Sequence, residues 1–153
     1  MKNKSNQGFT LIELLVVIAI IGILSAVVLG FLAAARTSGA DSAIKADLTQ
    51  VSKEAEIYYG TYYESYGSFS QATCPTATGG GTDTFTNDAT MVAIIANAVS
   101  DGGNGSSCSS TGSSYAVAVG LKTSGQSWCT DSTGIDKQFA GTPSAAITNS
   151  QCN

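Results

Sequence analysis

A chain of 153 residues with 43% hydrophobic and only 12% charged residues has room for one modest domain, and not for two once a membrane-length segment is set aside. Its net charge of −4 argues against nucleic acid as a partner, because no basic stripe is present to neutralise phosphates. The chain has no His, no Gly-x-Ser-x-Gly elbow, no phosphate-binding loop and no paired carboxylate spacing, so it reads as a non-enzyme without a cofactor.

Residues 1–8 are short, polar and basic, and they stop at Phe9, where an almost continuous apolar run begins. Residues 14–35 form 22 consecutive positions without a charge. A helix of that length rises about 33 Å, enough to cross a hydrocarbon core of about 30 Å. Lys2 and Lys4 precede the run and Arg36 follows it, which favours a cytoplasmic N-terminus. Removal of the two leading lysines leaves five Lys and Arg against eleven Asp and Glu. Gly22, Ser25, Ala26 and Gly30 are small enough to let copies of this helix pack closely.

The most specific pattern is Gly8-Phe9-Thr10-Leu11-Ile12-Glu13 followed by Leu14-Leu15-Val16-Val17-Ile18-Ala19-Ile20-Ile21-Gly22-Ile23-Leu24. It resembles the N-terminus of type IV prepilins and the related pseudopilins, nearly residue for residue over positions 8–35. The resemblance implies that a membrane aspartyl prepilin peptidase cuts between Gly8 and Phe9 and N-methylates the new Phe9 amine. An absent side chain at Gly8 suits a scissile backbone that must extend into a cleft. It also implies self-assembly into a filament, an inner-membrane platform protein and a cytoplasmic assembly ATPase as partners, and membrane lipid around the helix before assembly. Many major pilins have a proline where this chain has Gly30. Glycine gives backbone freedom without removing a hydrogen bond.

Glu13 stands among Phe9, Leu11, Ile12, Leu14 and Leu15, where a carboxylate costs about 2.5 to 3.5 kcal/mol near a bilayer centre. No Lys or Arg follows before Arg36, too far along a helix to reach. The Phe9 amine freed by cleavage is the natural partner, and the resemblance implies the amine of an adjacent subunit. That contact would neutralise two charges and set the axial register.

Beyond Arg36 the apolar positions Ala40, Ile44, Leu48, Val51, Ala55, Tyr58 and Tyr62 recur at intervals of three and four, which predicts an amphipathic continuation of one helix from about 9 to about 63. Ser38 and Gly39 are the expected place for a bend or fray, since a helical Gly costs about 1 kcal/mol. Five tyrosines cluster at the helix end. An electron relay or adhesive patch is one reading; packing is the preferred one, with Tyr58 and Tyr62 under a sheet and Tyr59, Tyr63 and Tyr66 around its rim.

Residues 67–114 read as mostly loop, interrupted by a short helix over 88–99 with Asn87 or Asp88 as its N-cap. Asn104-Gly105-Ser106 fits a glycosylation acceptor and, better, a tight turn. Residues 115–121, 127–130 and 135–140 predict a three-stranded antiparallel meander whose buried face covers the amphipathic half of the helix. Asp131 and Asp136 flank Ser132-Thr133-Gly134, which loosely resembles the calcium loop of secretion pseudopilins; a hairpin turn explains the same residues, and no metal site is assigned.

Cys74, Cys108, Cys129 and Cys152 all follow the apolar segment, an even number in a region that this topology places outside the cytoplasm. Three pairings are open, and Cys74 with Cys108 and Cys129 with Cys152 is the one favoured.

The combined expectation is an α+β, pilin-like lollipop. Its parts are a leader at 1–8, a transmembrane or filament-core half-helix at 9–35, an amphipathic half at 36–63, and a head at 64–153 with loop, short helix and meander. The expected role is a structural pilus subunit, first a single-pass inner-membrane protein and then a cell-surface one. A pseudopilin of a type II secretion or DNA-uptake system is the alternative within the family. A secreted protein with residues 1–35 as signal peptide is the rival outside it: Ala33-Ala34-Ala35 fits the cleavage pattern, but the apolar region is too long and Glu13 interrupts its start.

Overall fold

The computed structural model describes residues 8–62 and 64–153. Residues 1–7 of the expected leader, and Tyr63, lie outside the described residues. The chain is α+β and divides into two compact units, one ending at Arg36 and the other spanning Thr37–Asn153. A single helix, α1 (Leu11–Thr61), contributes to both.

The first part of α1 is built from Leu, Ile, Val and Ala, with side chains exposed along its length in the single chain. The helix is continuous through Gly22 and Gly30 and through Ser38 and Gly39, so the expected fray does not occur. There the Ser42 hydroxyl donates to the Ser38 carbonyl at 2.8 Å, and Asp41 is anchored one turn on, which outweighs the cost of one helical Gly.

Within the second unit α1 buries Asp41, Ile44, Leu48, Val51, Ala55 and Tyr58, an alternation of three and four that keeps one stripe inward. The stripe packs with a short helix α2 (Thr84–Asn87), a longer one α3 (Ala89–Gly102) and one face of a sheet. Asp88 caps α3 by accepting from the N–H groups of Thr90 at 2.8 Å and Met91 at 3.0 Å, and left-handed Gly103 closes its far end.

The sheet has five antiparallel strands in sequential order: β1 (Phe69–Ala72), β2 (Ser106–Ser110), β3 (Tyr115–Gly120), β4 (Gln126–Asp131) and β5 (Asp136–Ala140). The expected three-stranded meander is therefore corrected to five. β2 escapes a pattern search because it reads Ser-Ser-Cys-Ser-Ser, yet it pairs in full register with β3 and places Cys108 opposite Val117. β1 is short, and its register shifts between Phe69 and Ala72.

All six residues of β3 are buried, which requires a cover on both faces. Tyr115, Val117 and Val119 enter the core shared with α1 and α3. Ala116 and Ala118 face a second cluster of Cys129, Ala146, Ile147 and Cys152. That second cover is the chain's end: a 3-10 turn (Pro143–Ala146) and two tiny strands, β6 (Ile147–Thr148) and β7 (Gln151–Cys152). The sheet is thus the middle of three layers, with disulfides joining Cys74 to Cys108 and Cys129 to Cys152.

The tyrosine expectation is corrected in part. Tyr58 is buried, but Tyr62 is 45% exposed and stacks on it at 4.5 Å between ring centres. Tyr66 belongs to the core, edge-on to Tyr115 at 4.9 Å, and its N–H donates to the Gly112 carbonyl at 3.1 Å, which ties residue 66 to the turn between β2 and β3. Tyr59 lies half-buried against Tyr66, ring centres 4.7 Å apart.

Candidate functional site

Gly8 and Phe9 precede α1 in extended or irregular backbone and are exposed, Phe9 almost entirely so at 92%. The helix begins on Thr10, whose carbonyl accepts from the Leu14 N–H at 3.3 Å. Thr10 and Glu13 close a reciprocal set of hydrogen bonds. The Thr10 N–H and hydroxyl each donate to Glu13 Oε2 at 2.8 Å, and the Glu13 N–H donates to Thr10 Oγ1 at 3.3 Å. This is a capping box, Thr at the cap and Glu three residues on. Thr-x-x-Glu ahead of an apolar run is its sequence signal, which reading Glu13 by itself overlooks.

After Glu13 the helix offers an uncharged surface to Ala35. Among the described residues, α1 is the helix long and apolar enough to cross a membrane. Gly22 and Gly30 have open space where a side chain would stand, leaving shallow notches at which a second helix can approach.

In the second unit, the residues considered for calcium serve a turn. Asp131 is buried; its Oδ1 accepts from the Thr133 N–H at 2.8 Å and hydroxyl at 2.6 Å, and its Oδ2 from the Cys152 N–H at 2.8 Å. Burial pushes the Asp131 carboxyl up, but these donors outweigh it and hold the group below its ordinary range. Asp136 is exposed at the start of β5. The structure makes Asp131 the latch of the C-terminal strand, a role invisible to local pattern because its partner lies 21 residues away.

Residues 3–29 match a family described as the prokaryotic N-terminal methylation motif. A type IV wide pilus major component, PilA4 of Thermus thermophilus, is 49% identical over 55 residues, 36% of this chain and 42% of the relative. The chain thus spans less than half the length of the curated relative it matches. No solved structure matches the chain. The capped turn and the first part of the uncharged helix behind it thus lie in the segment that matches the N-terminal methylation motif, and the chain is similar to a type IV pilin over 36% of its length.

Proposed function

We propose that this chain is a structural subunit of a type IV pilus-like filament, cut after Gly8, N-methylated at Phe9 and polymerised through α1. The observation that carries the reading is Glu13, a carboxylate in the first turn of a helix that is otherwise uncharged and exposed up to Arg36. A surface of this kind is stable in lipid or against copies of itself, and not in water. Residues 1–8 are the leader and 9–35 the segment that passes from membrane to filament core; the second unit is the head, on the far side of the membrane from the N-terminus. The Phe9 amine of one subunit meets Glu13 of the next. The likeness to a pilus major component supports a pilus subunit, with prepilin peptidase, a platform protein and an assembly ATPase as the machinery that acts on it.

The first test is the mass of the N-terminal peptide from protein sheared off native cells. A start at methylated Phe9 is expected, and a start at Arg36 would make the chain an ordinary secreted protein. A Glu13→Val variant is expected to be cut and methylated normally while its filaments are lost; wild-type filament yield from it removes this account of Glu13.

A further inference from the structure

The end of α1 and the chain leading into α2 enclose a cleft of about 340 Å³ within the second unit, lined by Tyr58, Tyr62, Ser65, Gly81, Thr82 and Asn87. The helix supplies an aromatic wall, because residues four apart share a face. Tyr62 stacks on buried Tyr58 with ring centres 4.5 Å apart and stays 45% exposed, so its ring is held in place while keeping apolar surface open. The remaining lining is polar. Thr82 and Asn87 are exposed and carry a hydroxyl and an amide. Ser65 Oγ accepts from the Gly67 N–H at 3.2 Å and so keeps its own proton to donate.

This polar lining is anchored to the core. The Thr84 N–H donates to the Tyr66 carbonyl at 2.9 Å, and the Tyr58 hydroxyl reaches the Thr82 carbonyl at 3.4 Å. Gly67, at φ 73°, lies so close to this segment that a Cβ there would collide with the Asp83 backbone. A cleft fixed before its ligand arrives avoids part of the ordering cost of binding. None of these six lining residues is charged. Asp83, beside them in the chain, has its carboxylate engaged within α2: Oδ1 accepts from the N–H groups of Phe85 at 2.9 Å and Thr86 at 3.1 Å, and Oδ2 from the Thr86 hydroxyl at 2.5 Å.

An anion or an amine would therefore be desolvated here without a counter-charge. A neutral sugar ring fits the lining on both counts. Its C–H face is attracted to the negative face of an aromatic ring, and its hydroxyls both donate to and accept from hydroxyl and amide groups. The volume is near the lower end for small-molecule sites, which suits one ring, and exposure at Tyr62, Thr82 and Asn87 leaves the cleft open to the rest of a longer chain. We propose that this cleft binds the terminal pyranose of a neutral glycan, with the ring against Tyr62 and its hydroxyls bonded to Ser65, Thr82 and Asn87. The site lies wholly in the second unit and does not depend on the assembly role given to Glu13.

The test uses the full chain, isotope-labelled for NMR in a detergent without a sugar head group and titrated with the methyl glycosides of glucose, galactose, mannose and N-acetylglucosamine. At least one is expected to give saturable shifts centred on the amides of Ser65, Gly81, Thr82 and Asn87, with a Kd of about 1 to 10 mM, the range of a small open site. Tyr62→Ala should weaken that binding about tenfold, the upper end for one aromatic contact. Thr82→Val leaves the aromatic pair untouched and should weaken it about threefold through one lost hydrogen bond. Unchanged β3 signals in both variants verify that the fold is kept. Absence of saturation with all four glycosides at about 100 mM overturns the proposal, as does parent-like binding by Tyr62→Ala. Tighter binding of glucuronate or glucosamine overturns the neutral assignment. N-acetylphenylalanine amide saturating the same shifts more tightly than any glycoside would make the cleft a pocket for a protein side chain, and the glycan proposal would fall.

Discussion

Asp41 and Thr123 lie 82 residues apart in the chain, and the Thr123 hydroxyl donates to Asp41 Oδ2 at 2.5 Å. Asp41 Oδ1 accepts from the N–H groups of Lys122 at 2.6 Å and Thr123 at 3.3 Å. A buried carboxylate thus ties the loop after β3 to the start of the packed half of α1, satisfying backbone donors that no strand pairs. Asp41→Ala strands those donors and is expected to cost about 2 to 3 kcal/mol. Chemical denaturation of the detergent-solubilised chain measures it, and a loss below about 0.5 kcal/mol would show that water replaces the carboxylate without penalty.

Gly102, in the last turn of α3, is buried against β3, and a Cβ there would collide with the Gly120 carbonyl oxygen while coming within 3.2 Å of Ile44 Cδ1. The close approach of helix to strand therefore depends on a missing side chain. Gly102→Ala should lower stability by about 1 to 3 kcal/mol despite alanine's better helix propensity. A thermal melt that rises instead would mean that α3 can shift freely on the sheet.

The Cys129–Cys152 disulfide closes a sequence separation of 23 residues and clamps the second cover onto the sheet. Replacing both cysteines by Ser should remove about 3 kcal/mol. Hydrogen exchange should then speed up in β6 and β7 well before it does in β3, whose other face keeps the main core. Equal acceleration in all three strands would show that the second cover and the core unfold as one.

Alkaline pH should unfold the second unit before ordinary tyrosines would suggest. Burial pushes the Tyr115 phenol from about 10 to about 12. Tyr66 is pushed up as well, first by burial and then by Glu56, which accepts its hydroxyl proton at 2.9 Å. Because both phenols ionise more easily in the unfolded chain, their stabilisation is complete below about pH 10 and declines as pH rises toward about 12. Tyrosinate absorbance and far-UV circular dichroism followed together should show these two groups ionising only as structure is lost. Titration of every tyrosine near its ordinary value with the fold intact contradicts this reading.

Periodicity made the long elements legible. The three-and-four spacing from Ile44 to Tyr58 specified the buried stripe of α1, Asn87 and Asp88 offered two caps for α3, of which Asp88 is the one used, and the alternation from Tyr115 placed β3. What stayed hidden depends on partners distant in sequence. β2 is a serine strand whose burial comes from its neighbours; β6 and β7 have two residues each and hold their place through Cys152 and the Asp131 latch. Asp41 interrupts the apolar stripe, and only the distant loop at 122 and 123 explains why a carboxylate is buried there. At the N-terminus the position of Glu13 was readable from its neighbours' apolarity, whereas its orientation depended on pairing it with Thr10.

The two disulfides turn residues 74–108 and 129–152 into closed covalent rings. The exposed Thr- and Gly-rich stretch at 76–80 lies inside the first ring, and the turns around 132–136 and 148–149 lie inside the second. A protease that nicks any of these places opens a ring without releasing a fragment, so a damaged chain keeps all its parts and both covers of its sheet. A cut between the rings, in the exposed turns at 111–113 or 122–125, would by contrast divide the chain without reduction.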